Sequence, residues 1–458
     1  MNRIAGRAAA ALVLALVLIA GMVFFIGEYF IKAGDWVVFP GNPHVYNAGN
    51  IGCGTVVSRE GTELLRISDD RSYADDRLLR QATLHWLGDR EGNISAPALS
   101  AYSRQMAGFN VIQGVYSYSG TGATATLTLS AEVQQTALDA LDGRKGTIAV
   151  YNYRTGEILC AVTSPTYDPD QVPDIAADDS GEYDGVYLNR FTQVSYVPGS
   201  IFKVVTAGAA LESMPEIRNE TFYCSGEYLV DGSYVTCEDP HGEVDMGAAL
   251  TQSCNCYFAQ LAEKIGADTL SRFVEQFQVT QSQSFDGITT ESGSVSISSD
   301  DPIGLAWSAI GQHEDLINPC RFMTFMGQIA GGGSAAEPYV VSQIRIGRSK
   351  TTYTAKASQT DSVLSEETAR MLQTYMRNNV IDKYGDENFP GLSVCAKSGT
   401  AEVGGGQRST ALFAGFVTDS EYPLAFIAVV ENGGYGRSVC VPIMSEVLSA
   451  CKEILDQE

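Results

Sequence analysis

"VCAKSGTAEVGGGQRSTALFAGFVTDSEYPLAFIAVVE", residues 394–431, reads as three strands with turns at Gly404–Gly406 and Asp419–Tyr422. Upstream, "GTIAVYNYRTGEILCAVTS" (146–164) gives two more strands around the turn Arg154-Thr155-Gly156. Downstream, "PIMSEVLSACKEIL" (442–455) is an amphipathic closing helix. Between these strand pairs, 204–212, 247–277 and 303–330 read as helices, with an acidic loop at 168–187 and a Ser-rich loop at 280–301. Strands, then helices, then strands and a last helix imply an α+β fold, an antiparallel sheet packed by helices. "TGATATLTLS" (121–130) leads a strand into a helix capped by Ser130, with Val133, Ala137 and Leu141 on one face. Residues 46–122 read as a small α+β module with a polar helix at 76–87, and 28–45 as an irregular connector.

The N-terminus carries a different signal. Arg3 and Arg7 precede an uncharged run of 20 residues, Ala8–Gly27, which is long enough to span a bilayer. Phe24, Phe25 and Ile26 stand where a cleavage site would need small residues, so the run reads as an uncleaved anchor. The positive-inside rule places 1–7 in the cytoplasm and everything from about residue 28 outside. With 30 basic and 54 acidic residues the net charge is −24, which argues against nucleic acid as a partner. Ten cysteines in 458 residues are not a disulfide framework. Cys224 and Cys237 are the one pair spaced to close a small loop, whereas Cys254 and Cys256 read as small packing side chains. No metal site is expected: there are four histidines, and "HEDLI" (313–317) lacks the second His of a zinc-protease helix.

Three short motifs carry the chemistry. In "YVPGSIFKVV" (196–205) a helix starts at Ser200 and brings Lys203 one turn away on the same face. A lysine among apolar residues is held neutral, and a neutral amine beside a hydroxyl makes a base and a nucleophile. The plainer reading is a lysine snorkelling from a helix end. The same spacing recurs at Ser449 and Lys452, on a surface helix where solvent alone explains the lysine. In "LTQSCNCYFAQLAEKIG" (250–266), Ser253 offers a hydroxyl to relay a proton and Asn255 an amide to hold a carbonyl, or else both merely cap a helix. In "CAKSGTAE" (395–402), Lys397 suits a carboxylate, Ser398 and Thr400 can hydrogen-bond it, and Gly399 allows a ligand close approach. The alternative there is an edge strand with an outward charge.

Taken in order, S-x-x-K at 200, S-x-N at 253 and K-S-G at 397 form the motif set of penicillin-binding proteins and class A β-lactamases. The chain resembles the penicillin-recognising serine acyl-transferases, and among them the class B penicillin-binding proteins. Further stretches are similar to that family: 146–170, "RFTQVSYVPGSIFKVVTAGAALE" (190–212), "HGEVDMGAALTQSCNCYF" (241–258) and "SAIGQ" (308–312). The likeness is strong over 125–435 and eroded in "GTVVSREG" (54–61) and "RSYADDRLLRQATLHWLGD" (71–89).

The resemblance implies a transpeptidase (β-lactamase-like) fold, an antiparallel sheet sandwiched by helices, with one transmembrane anchor helix. The expected division is a cytoplasmic tail 1–7, anchor 8–27, short N-terminal module 28–122 and transpeptidase domain 123–458. Ser200 would attack the carbonyl between two D-alanines of a peptidoglycan stem peptide. Lys203 would be its base, and Ser253 would pass a proton to the leaving D-alanine. Asn255 would hold the substrate amide. Lys397, Ser398 and Thr400 would bind the terminal carboxylate, with Gly399 between them. Backbone N–H groups of Ser200 and Thr400 would form the oxyanion hole. β-Lactams would acylate the same serine, no cofactor is implied, and a membrane glycan polymerase would be the partner. The chain departs from the family in its short N-terminal module and in His313, where glycine is common. The alternatives are a D,D-carboxypeptidase or β-lactam hydrolase on the same site, and a non-catalytic β-lactam sensor or structural subunit.

Overall fold

A computed structural model describes residues 2–68, 70–112, 114, 122–347, 350–404 and 406–457. Residues 1, 121, 405 and 458, which fall in the expected tail, first strand unit, Gly404–Gly406 turn and last domain, lie outside the described residues. The apolar run sits in one long helix, α1 (Asn2–Val37), which continues ten residues past Gly27. At its far end Asp35 pairs with Arg104 at 2.7 Å, fastening the helix to the module that follows.

That module shares its sheet with the rest of the chain. A six-stranded sheet runs in the order 350–354, 341–346, 124–127, 54–57, 63–67, 71–73, and only the 54–57/124–127 pair is parallel. Beyond Leu127 the Thr128 N–H still bonds Val340 O, beside the 341–346 strand, and two residues on the Ser130 N–H bonds Leu159 O. The strand pairing 54–57 with 124–127 joins the chain on either side of the boundary expected at 122/123 in one sheet.

The central sheet has five strands, β1 (Gly146–Asn152), β2 (Ile158–Ser164), β3 (Val394–Ala401), β4 (Thr410–Val417) and β5 (Leu424–Val430), in the order β3-β4-β5-β1-β2, antiparallel throughout. Packed around it are α2 (Ala131–Leu141), α3 (Lys203–Ser213), α4 (Met246–Gln252), α5 (Asn255–Ile265), α6 (Pro319–Ala330), α7 (Glu366–Asn379) and α8 (Gly436–Asp456). Side-chain alternation divides the core in two. Ile148, Val150, Phe413, Phe426 and Ala428 face α2 and α8, where Val133, Met444 and Leu448 meet them. Ala149, Tyr151, Leu412, Ala414 and Ile427 face the other way, onto Phe322, Phe325 and Ile329 of α6. Both faces are covered, so the strands read as continuous apolar runs. Ser130 caps α2 as its sequence predicts, its Oγ accepting the Val133 N–H at 3.3 Å.

Two expected helices are each divided. The run 247–277 divides at Ser253, which takes a left-handed φ of 54°, and again at Gly266. The run 303–330 divides around the loop 309–318.

Candidate active site

The chain enters the site through a short 3₁₀ turn, Gly199–Phe202, that feeds directly into α3. A 3₁₀ turn has three residues per turn, so the side chains of Ser200 and Lys203 stack one above the other. The helix expected at Ser200 thus begins one residue earlier and in a tighter form. Ser200 is half-buried, while Lys203 is fully buried. Among the described residues, Lys203 Nζ donates to Ser253 O (2.6 Å), Ser253 Oγ (3.1 Å) and Asn255 Oδ1 (2.6 Å), and none of its hydrogen bonds goes to Ser200. Burial pushes the Lys203 ammonium down to about 8, against the pull of Cys237, Cys254, Cys256 and Glu238. Snorkelling does not describe this lysine.

Ser253 occupies the junction between α4 and α5. Its left-handed backbone is a strained state for a residue with a Cβ, and it aims carbonyl and hydroxyl at the same lysine. The cap of α5 is not Ser253 but Cys254, whose Sγ accepts the Tyr257 N–H at 3.3 Å. Asn255 follows, bridging Lys203 through Oδ1 and the Thr236 carbonyl through Nδ2 (2.7 Å).

On the opposite side, Lys397 of β3 is buried, so the outward-charge reading of this edge fails. Its Nζ donates to Ser253 Oγ (3.2 Å) and to Ser398 O (2.9 Å). Burial and the neighbouring Lys203 and Lys383 push Lys397 well below the usual amine range. Two buried lysines therefore flank one serine hydroxyl. Ser398 and Thr400 share a face of β3 by the strand's two-residue period. Ser398 Oγ lies 3.0 Å from the Tyr384 hydroxyl, and Thr400 Oγ1 accepts the Gly436 N–H at 3.3 Å.

β3 is an edge strand, and side chains hold its outward backbone groups. Arg377 donates to Val394 O (3.1 Å), Asn379 to Ala396 O (3.0 Å) and Gln312 to Thr400 O (3.2 Å), while the Ser398 N–H donates to Tyr384 (2.9 Å). In an antiparallel pair a residue's N–H and C=O point the same way, so the Thr400 N–H also faces outward, toward the Ser200 turn. The turn and strand meet with no room for a side chain: a Cβ at Gly399 would lie 2.8 Å from Pro198 O and 3.1 Å from Ile201 Cγ2. Gly399→Ala should push the strand off the turn and slow acylation by roughly 10²-fold, the scale of a misplaced reacting group. Time-resolved labelling with a fluorescent penicillin checks this, and an unchanged rate would mean that the contact does not position the strand.

The loop 309–318 closes the back of the turn, with Gly199 N–H on Gly311 O (2.8 Å) and Tyr196 paired with Ile317. His313 takes φ 70°, a conformation glycine adopts freely, so the departure from the family pattern falls at a strained position. Asp315 anchors the loop by accepting Ser308 Oγ at 3.0 Å, and its Oδ2 is buried without a partner among the described residues. Burial pushes its carboxyl up to about 8. The folded chain therefore holds a proton that the unfolded chain releases. The stability this gives is complete below the ordinary carboxylate value and is lost as pH rises through about 8. Thermal melts should fall between pH ~5 and pH ~9, and Asp315→Asn should fall less over that span. Equal slopes for the two proteins would exclude Asp315 as the cause.

The second S-x-x-K lies elsewhere: Ser449 bonds Ser445 O at 2.8 Å, and Lys452 pairs with Asp456 at 2.6 Å on α8. Tyr384 and the Thr236 carbonyl are site groups that no motif marks. Behind Asn255 the fold also gathers Cys224, Cys237, His241 and Cys254, where the sequence suggests no metal ligands. The Cys224 and Cys237 thiols, the pair spaced for a disulfide, are both free and 3.7 Å apart.

The chain matches the family described as the penicillin binding protein transpeptidase domain over residues 146–449. It is 29% identical over 360 residues to the peptidoglycan D,D-transpeptidase PbpA of Mycolicibacterium smegmatis, a match covering 72% of each chain. Among solved structures it is similar to the D,D-transpeptidase domain of a peptidoglycan glycosyltransferase from Eggerthella lenta, with TM-score 0.74 and 25% identity over 88% of this chain and 98% of that one. Penicillin-binding protein A of M. tuberculosis, solved as a ceftriaxone acyl-enzyme, shares the fold with TM-score 0.70 and 23% identity, covering 87% of this chain and 98% of that one.

Proposed function

Because this chain belongs to the penicillin-binding protein transpeptidase family, we propose that it crosslinks peptidoglycan stem peptides through an acyl-enzyme on Ser200, as a class B D,D-transpeptidase. The observation that carries the residue roles is the file Lys203–Ser253–Lys397, a half-buried serine between two buried lysines, with Ser253 Oγ 3.1 Å from one amine and 3.2 Å from the other. Lys203, whose ammonium burial makes easier to deprotonate, takes the proton in its neutral form as Ser200 Oγ attacks the carbonyl between the two D-alanines. The tetrahedral oxyanion forms against the N–H groups of Ser200 and Thr400. The proton then moves through Ser253 Oγ to the leaving amine, and D-alanine departs. Asn255, fixed between Lys203 and Thr236, holds the substrate amide, while Ser398 and Thr400 take the terminal carboxylate. An amine from a neighbouring stem peptide attacks the ester and restores Ser200. β-Lactams enter the same sequence and stop at the ester.

α1 anchors the chain in a membrane as a single span. Arg3 and Arg7 support an orientation with the catalytic domain outside the cytoplasm. A membrane glycan polymerase, which makes the strands to be crosslinked, is the partner this role requires. Labelling the detergent-purified chain with a fluorescent penicillin, and following the adduct by intact mass, tests the reading. A stable single adduct is expected. Loss of the adduct within seconds would replace the transpeptidase with a hydrolase, and no adduct would leave a structural subunit.

A further inference from the structure

Three cysteines and one histidine meet directly behind the Ser253–Asn255 segment. Cys224 ends the strand Phe222–Cys224, and Gly242, next to His241, is its partner in the paired strand. Cys237 follows the hairpin strand Ser233–Thr236, and Cys254 caps α5. The four ligand atoms all lie within 4.8 Å of one another. Cys237 Sγ is 3.7 Å from Cys224 Sγ and 3.8 Å from Cys254 Sγ, and Cys224 Sγ is 3.4 Å from His241 Nδ1. A tetrahedron with Zn–S bonds of ~2.3 Å and a Zn–N bond of ~2.0 Å has S···S edges of about 3.8 Å and S···N edges of about 3.5 Å. These three of the six separations match that figure rather than a disulfide, whose sulfurs are bonded at about 2.05 Å, and the other three lie within 4.8 Å.

The surroundings suit thiolates. Cys237 Sγ accepts the N–H groups of Asn255 (3.1 Å) and Cys256 (3.4 Å), and Cys254 Sγ accepts that of Tyr257, all in the first turn of α5. The positive end of a helix favours the deprotonated sulfur. Cys224 and Cys254 are buried, and Cys237 and His241 half-buried, which leaves an entry path on one side. Cys256 lies 3.5 Å from Cys237 but turns its own Sγ toward the Val235 carbonyl.

We propose that Cys224, Cys237, His241 and Cys254 bind one structural zinc ion. Three thiols give up their protons to solvent and His241 enters as neutral imidazole through Nδ1, which fills four positions with protein ligands and leaves none for a reacting water. Soft sulfur ligands with one imidazole favour zinc over magnesium or calcium. The ion fastens the hairpin 227–236 to the start of α5. Those are the two segments that hold Asn255, one through its own backbone and one through the Thr236 carbonyl. The four ligands are thus positioning residues for Asn255 and Ser253, and none touches the substrate.

Elemental analysis of the untagged full chain in detergent should give about one zinc per chain. Cys224→Ser and His241→Ala should lose it, and Cys256→Ser should keep it. Exchange with cobalt(II) should give the intense visible bands of a tetrahedral site and sulfur-to-metal charge-transfer absorption in the wild type, a readout independent of whether any variant folds. Chelation should slow penicillin labelling, and zinc should restore it. A wild type without metal, whether its four groups are free or two hydrogens lighter as a disulfide, would overturn the proposal. So would zinc that persists in both Cys224→Ser and His241→Ala.

Discussion

Ser200→Ala should take up no fluorescent penicillin at any time or concentration that saturates the wild type, while keeping the wild-type melting temperature. Ser200 is half-buried on a 3₁₀ turn and its hydroxyl packs no core, so removing one oxygen leaves the fold intact. Without a nucleophile there is no ester and no chemistry for Lys203 to assist, and groups that act as one unit fail together. The site also offers a built-in comparison. Ser449 and Lys452 repeat the spacing on α8, yet that hydroxyl is bonded to Ser445 O and that amine to Asp456. Ser449→Ala should therefore label like the wild type. Residual adduct on Ser200→Ala, mapped by peptide mass to another serine, would move the nucleophile.

Lys203→Met should lower the acylation rate by roughly 10²–10⁴-fold, the usual contribution of a positioned base. Methionine fills the same buried channel without the amine but leaves Ser253 O and Asn255 Oδ1 without that donor, so the melting temperature is measured beside the rate. The pH dependence separates a base from a packing role. Burial holds Lys203 down to about 8, so wild-type acylation should climb with pH and level off above that value as the amine becomes neutral. The variant should lose this step. A retained step would assign it to Lys397, which burial and the charge of Lys203 also push down. The two amines flank Ser253 and cannot both stay charged at low cost, so a double variant should show less than the product of the single losses.

Ser200, Lys203, Ser253, Asn255, Lys397 and Thr400 were legible because each motif is local: a turn of helix or a strand period sets its geometry within a few residues. The five strands were legible because long apolar runs punctuated by Gly, Asp and Pro leave little choice. Long-range effects were not. Nothing in "LTQSCN" announces that Ser253 turns left-handed and splits a helix, since the Lys203 contacts that reward the strain come from fifty residues away. Tyr384 meets Ser398 only because α7 packs against β3. The module before residue 123 looks separate because its strand 54–57 joins 124–127 in parallel, a pairing that no hairpin turn announces. The short, partly exposed strands between 222 and 244 carry too little alternation to show that they fold Cys224, Cys237 and His241 onto Cys254.

The covered edge of β3 bears on how many copies of the chain can share a membrane. A bare edge of eight residues is a template on which another chain can add a strand, and molecules confined to a bilayer meet often. Here Arg377, Asn379, Tyr384 and Gln312 already hold four of the outward groups from Val394 to Thr400, three carbonyls and the Ser398 N–H, while the Thr400 amide faces the turn. A neighbouring chain finds too few open groups to start a ladder, whereas a ligand that ends at Ser200 needs only the last of them. Protection against aggregation and admission of a substrate are thus set by the same four side chains, and a substitution such as Asn379→Ala touches both at once.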